Sequence, residues 1–269
     1  MYLEFKEYIL GKYDINLELE NKTIYLVFSR NKEYTSRFIT SISGINYHSG
    51  KCLYNENDIF DNKDYFQKRL LIDFNKKYIK TLNWKIVSDS FSTFSYIKFN
   101  SDTFKKSINE VDLRREVLIK DEYNFSDLGI KLCAYCLIKS LNYENLLVLN
   151  PYTKGKREVI TKVISEITDR SKYNTSIIEN NNLSILSQYV DKIIVLTDYN
   201  DAKVISRNDS FLICNDNIYL RNKIFREDSI VVSINDYTKE ELKNLNKCKL
   251  KFKIITFKEL IEYLGDKYD

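Results

Sequence analysis

One proline and six glycines in 269 residues leave this chain nearly without the residues that usually punctuate structure. The single histidine, His48, next to Ser49-Gly50, reads as a turn residue with no catalytic role, since triad and zinc chemistry lack partners for it. The five cysteines, Cys52, Cys133, Cys136, Cys214 and Cys248, follow no regular spacing and form no disulfide framework. No run approaches the ~18 apolar residues needed to cross a bilayer. Glu4 and Glu7 interrupt the opening segment where a signal peptide needs an apolar stretch. No contiguous basic arm, internal repeat or low-complexity linker is visible. The chain reads as cytosolic and reduced, and its well-mixed 42 basic and 38 acidic residues (net charge +4) imply no nucleic-acid partner.

What is present is core material. Hydrophobic residues make up 43% and charged residues 30%, enough for one large domain or one domain with a small appendage. "DINLELE" and "TIYLVF" (23–28) read as strands. "TSRFITSIS" reads as a helix with Phe38, Ile39 and Ile42 on one face, stopped at Gly44. "SGKCLYNENDI" suggests a further strand and turn. Residues 61–124 are charged, aromatic and mostly helical in pattern, apart from "RLLIDF".

Beyond residue 124 helices alternate with short apolar strands. "IKLCAYCLIKSL" (130–141) is a core helix and "LLVL" (146–149) a buried strand. "REVITKVISEI" is an amphipathic helix, "TSII" (175–178) a strand, "LSILSQYV" a helix and "KIIVL" (192–196) a strand. That alternation predicts a parallel sheet covered on both faces, hence an α/β fold with a helical lobe at about 76–141. From residue 206 the pattern restarts as a small α+β unit. "FLIC", "NIYL", "SIVVSI" and "KCKLKFKII" are its strands, with capping boxes Thr238/Glu241 and Thr256/Glu259 opening its two helices.

Two features invite a functional reading and are better explained as structure. Cys133 and Cys136 form a CxxC inside an apolar helix, which fits core packing rather than redox or metal work. The 21 tyrosines and 15 phenylalanines are not interleaved with basic residues, so they read as core and surface filling rather than base-stacking platforms.

The stretch "LVFSRNKEYTSRFITSISG" (26–44) has the strand, turn and helix of a phosphate-binding loop, without its glycines. Together with the landmarks downstream of it, the chain over residues 1–205 resembles the nucleotide-binding subunit of an ABC transporter, nearest the bacitracin- and lantibiotic-type ATPases. Aligned on Ser43-Gly44, the resemblance puts Ser29, Lys32 and Tyr34 at the three loop glycines. Asn31 falls on the family's asparagine, Thr35 on its lysine and Ser36 on its magnesium-binding serine. Ser49-Gly50 matches the next landmark, and Glu56 stands at a usual glycine. Asn75 takes the γ-phosphate-sensing glutamine position. Asp127-Leu128-Gly129-Ile130-Lys131 corresponds to the signature, its serine replaced. "LLVLNPYTKG" corresponds to Walker B, with Asn150 at the metal-binding aspartate and Pro151 at the catalytic glutamate. Thr153 and Gly155 match, Arg157 replaces the D-loop aspartate and Asn181 the switch histidine.

These replacements imply an α/β P-loop-type cassette without its chemistry. A non-glycine residue at positive φ costs about 1–2 kcal/mol, and the lost lysine removes a charge-assisted hydrogen bond worth about 1.5–3 kcal/mol. Asn150 offers magnesium a neutral carbonyl, Pro151 has no side-chain base, and Asn181 cannot relay a proton. Asp127 would set a negative charge against a partner's γ-phosphate.

The resemblance therefore implies a pseudo-ATPase with weak or absent ATP and magnesium binding. Its partners would be an intact ATPase and an integral-membrane permease, for peptide or antibiotic export or self-immunity, at the inner face of the membrane. A homodimer is the other arrangement. Two alternatives stay open: a free-standing regulatory or interaction module, and an enzyme with a pocket rebuilt from Asn31, Ser36, Asn150 and Asn181.

Overall fold

The computed structural model describes residues 3–45, 49–75, 97–111, 127–151, 157–179, 189–214, 220, 223–226, 230–247 and 251–268. Strands β1 (Leu3–Leu10) and β2 (Tyr13–Leu19) form a hairpin, followed by β3 (Ile24–Ser29) and helix α1 (Lys32–Ile42). Next come β4 (Ser49–Tyr54), β5 (Asn57–Asp58), α2 (Lys63–Lys68) and β6 (Arg69–Asp73). Helices α3 (Ser101–Glu110) and α4 (Asp127–Ser140) precede β7 (Asn145–Leu149), α5 (Arg157–Arg170), β8 (Thr175–Glu179), β9 (Lys192–Leu196) and β10 (Ala202–Ser206). The tail holds β11 (Ser210–Cys214), β12 (Lys223–Arg226), β13 (Ile230–Ser233), α6 (Lys239–Lys247), β14 (Phe252–Thr256) and α7 (Phe257–Tyr268).

The central sheet runs β10-β9-β3-β8-β7-β6, parallel throughout except for the antiparallel edge strand β10. Its inner strands are apolar on both sides because each faces a separate core. Leu26, Val148, Ile178 and Val195 face the core filled by α3, α4 and α5. Val27, Leu147, Ile177 and Ile194 face the one closed by α1 and the antiparallel sheet β2-β1-β4-β5. The two-sided burial expected from the sequence is the observed arrangement.

In the antiparallel sheet, β1 bulges between Lys6 and Ile9, with Glu7 at φ +49°. Gly50 crosses this bulge so closely that a Cβ on it would fall 1.9 Å from the Glu7 carbonyl oxygen. The glycine of the Ser49-Gly50 landmark is thus fixed by backbone packing, with no reference to a ligand.

The tail forms its own antiparallel sheet, β12-β13-β11-β14. Both capping boxes form: Thr238 N–H donates to Glu241, Glu241 N–H to the Thr238 hydroxyl, and Thr256 and Glu259 repeat the pattern. Strand β12 was not anticipated, because only Ile224 and Phe225 carry its pattern between charged neighbours. "NIYL" lies outside the described residues except for Leu220, and "LSILSQYV" does so except for Tyr189 and Val190. Phe211, Phe225, Val231 and Leu260 of the tail join the same core as α4 and α5. Of the helical lobe, α3 and α4 are described, and both belong to that core. Among the described residues no helix is long and apolar enough to cross a membrane.

Candidate functional site

Ligands of open α/β sheets bind beyond the carboxyl ends of the strands. Here Ser29, Glu179, Leu149 and Asp73 close the adjacent strands β3, β8, β7 and β6. Between β3 and α1 stand only Arg30 and Asn31. Asn31 is extended (φ −92°, ψ 105°), and its side chain accepts from the Glu33 N–H at 3.1 Å, a helix N-cap. The Tyr34 N–H donates to the Asn31 carbonyl at 3.0 Å.

Lys32 and Tyr34, aligned with loop glycines, therefore lie in the first turn of α1. That helix begins at residue 32 rather than at 35, where the sequence pattern places it. The cause is local: asparagine is a strong cap, and Lys, Glu, Tyr and Thr all accept helical geometry. A phosphate-wrapping turn needs residues that tolerate φ > 0.

The remaining loop positions are taken up by packing. The Tyr34 ring meets Tyr13 edge-on at 4.9 Å, and the Arg37 guanidinium lies 5.6 Å over it. Gly11 (φ +62°) makes room for Tyr34, since a Cβ there would lie 2.7 Å from its Cε1. Ser29 Oγ accepts from the Asn31 N–H at 3.3 Å and lies 3.4 Å from the Tyr13 hydroxyl. Lys32 is exposed.

Thr35 and Ser36 turn toward a carboxylate absent from the sequence-derived set. Glu179, 1% exposed, accepts on Oε1 from the Ser36 hydroxyl and from Thr35 Oγ1 at 3.2 Å. It accepts on Oε2 from the Asn150 N–H at 2.7 Å. Asn150, in the left-handed region at φ +50°, also donates its side-chain amide to Asp73 Oδ1 at 2.9 Å. The Asn75 N–H donates to the same oxygen at 2.9 Å.

The structure thus gathers Thr35, Ser36, Asn75 and Asn150 around two carboxylates. The sequence signal for Glu179 is a charge at the end of the buried strand "TSIIE", one residue beyond the 175–178 strand that the pattern predicts. Asp73 closes "RLLID" in the same way.

The other positions are placed as follows. Pro151 is buried directly after Asn150, so neither residue following β7 carries a base. Asp127, Leu128 and Gly129 open α4, with Leu128 half-buried and Gly129 buried. Arg157 is the first residue of α5. Glu56 holds φ +67° in the β4–β5 turn, the backbone shape that a glycine would supply there. His48, Thr153, Gly155, Asn181 and Cys248 lie outside the described residues. Cys133 and Cys136 are buried in α4. Burial pushes both thiols up, Cys136 to about 12, so neither is a thiolate at neutral pH. Among the described residues no group of three or more His, Cys, Asp and Glu side chains could hold a metal ion.

The tail reaches the same end of the sheet. Arg30 pairs with Asp198 at 2.8 Å and donates to the Arg226 carbonyl of β12 at 3.2 Å. Its guanidinium lies 5.3 Å over Phe225, whose ring meets Phe28 edge-on at 5.8 Å. Asp198 in turn accepts from the Arg226 N–H at 2.9 Å.

No protein-family profile and no curated protein sequence matches the chain. Solved structures do. A cobalt-transport ATP-binding protein, CbiO-2, superposes with a TM-score of 0.62 at 18% identity, over 86% of this chain and 91% of that one. The ATP-binding subunit of an ABC transporter gives 0.58 at 14%, covering 77% and 90%. CbiO1 from Clostridium perfringens, part of the CbiONQ ABC transporter complex, gives 0.54 at 14%, covering 76% and 86%. At these identities the likeness is one of fold: an α/β cassette of the kind found in ABC transporter ATP-binding subunits.

Proposed function

We propose that the chain is a catalytically inactive ABC ATPase-like subunit that pairs with an active ATPase and a membrane permease. One observation carries this reading. Asn31 caps α1 directly after β3, so the residues that would wrap a phosphate are the first turn of a helix. The end of β7 supports it, because Asn150 spends its amide on Asp73 and its N–H on Glu179, and Pro151 follows. ATP and magnesium would find neither a phosphate-wrapping turn nor a base. What such a subunit contributes is a cassette-shaped surface for docking on its partners. Peptide or antibiotic export, or self-immunity, is the setting that the bacitracin-type resemblance suggests.

The test is affinity purification of the tagged chain from detergent-solubilised membranes of its own cells. The expected result is co-purification of an intact ATPase and an integral-membrane permease. Recovery from the soluble fraction with neither would overturn the proposal and favour a free-standing regulatory or interaction module.

A further inference from the structure

We propose that Glu179 is a built-in ligand. Its carboxylate fills an anion cradle formed by Ser36, Thr35 and the backbone of Asn150, and removing it leaves a vacancy that a free carboxylate can enter. The proposal rests on the reading above in taking this for the former nucleotide position, while the contacts stand independently of it.

Strand alternation sets the geometry. Ile177 belongs to the core beside α1 and Ile178 to the opposite one, so Glu179 returns to the α1 side at the carboxyl end of β8. There it reaches the fourth and fifth residues of α1 and the residue after β7. One side chain thus ties the ends of three elements together. The oxygens divide the work: Oε1 takes the two hydroxyls and Oε2 the Asn150 N–H at 2.7 Å.

Thr35 contributes least. Its single proton is shared with the Lys32 carbonyl, which is closer at 2.7 Å than the carboxylate at 3.2 Å. Ser36 and Asn150 are then the main donors. At 1% exposure, water cannot substitute for the carboxylate without entering the core.

The size match gives the inference its test. Truncating glutamate at Cβ deletes a CH2–COO− unit, the dimensions of acetate. Glu179→Ala should therefore melt about 5–10 °C below the wild type, since three donors lose an ionised acceptor. Acetate should raise that melting temperature, the rise setting in at about 10 mM and then growing with the logarithm of its concentration. Sodium chloride at equal ionic strength and pH should not. Glu179→Gln keeps the shape, but with its amide oxygen on the Asn150 N–H it sets an NH2 against the Ser36 and Thr35 hydroxyls in place of a carboxylate oxygen. It should also melt lower than the wild type, and acetate should leave it unchanged because its cradle is still filled.

Equal responses of Glu179→Ala to acetate and chloride would overturn the proposal. So would Glu179→Gln melting with the wild type, a comparison that holds even if the alanine variant does not fold. Stabilisation of Glu179→Ala by inorganic phosphate and not by acetate would also overturn it. None of these outcomes bears on co-purification with a permease, so the two readings fail separately.

Discussion

Asn150 donates its side-chain amide to Oδ1 of Asp73 across 2.9 Å, joining the carboxyl ends of the neighbouring strands β7 and β6. An aspartate at position 150, the residue the ABC resemblance would restore, could not make this bond. It would instead set a third carboxylate beside Asp73 and Glu179. Asn150→Asp is expected to lose about 2–3 kcal/mol of stability in urea denaturation, from the missing donor and like-charge repulsion. Millimolar calcium should recover part of the loss by bridging the carboxylates, and the proposed function predicts no ATP turnover by this variant. An unchanged denaturation midpoint would show that the amide is not engaged with Asp73.

Arg30 and Asp198 link the end of β3 to the tail with side chains 22% and 23% exposed. A double-mutant cycle of Arg30→Ala and Asp198→Ala is expected to give a coupling of about 1 kcal/mol, weakened by salt. Additive effects of the two substitutions would mean that the pair does not hold β12 in place.

Burial pushes the Tyr25 hydroxyl to about 12, while its acceptance of the Glu20 N–H at 2.6 Å works the other way. The folded state thus keeps a proton that the unfolded chain releases near pH 10. Stability from this group is fully present below pH 10 and is lost as pH rises toward 12. Buried Tyr8 and Tyr143, also pushed up, act in the same direction. Urea midpoints should fall steadily between pH 10 and 12. Tyr25→Phe should be less stable at pH 7, because the Glu20 N–H loses its acceptor, and should show a shallower alkaline slope.

Cys52, Cys133, Cys136 and Cys214 are all buried. At pH 8 iodoacetamide should label no more than one thiol per folded chain and all five after denaturation. Rapid labelling of Cys133 or Cys136 in the folded protein would reopen the redox reading of the CxxC.

Much of the fold was legible because burial writes itself into residue order. "TIYLVF" and "KIIVL" are apolar on both sides, as strands between two cores must be. The capping boxes at Thr238 and Thr256 marked helix starts through three-residue spacing alone. β12 was missed because its two apolar residues are held by contacts from elsewhere, notably Phe28 on Phe225.

The site was half legible. The resemblance placed Ser36 and Asn150 at one site, and they meet there because the start of α1 and the end of β7 lie at the same end of one parallel sheet. It could not supply Glu179, because a replaced residue says what has gone and nothing about what took its place. Nor could it show that Asn31 starts the helix early. That depends on a cap winning over a loop once glycine is absent.

The most direct test of the proposed function is isothermal titration calorimetry of the intact chain with ATP and magnesium. The expected result is no saturable binding heat up to about 1 mM nucleotide, with or without the metal. Magnesium-dependent binding at micromolar ATP would contradict it, because a capped helix with Glu179 filling its flank would then be accepting a triphosphate.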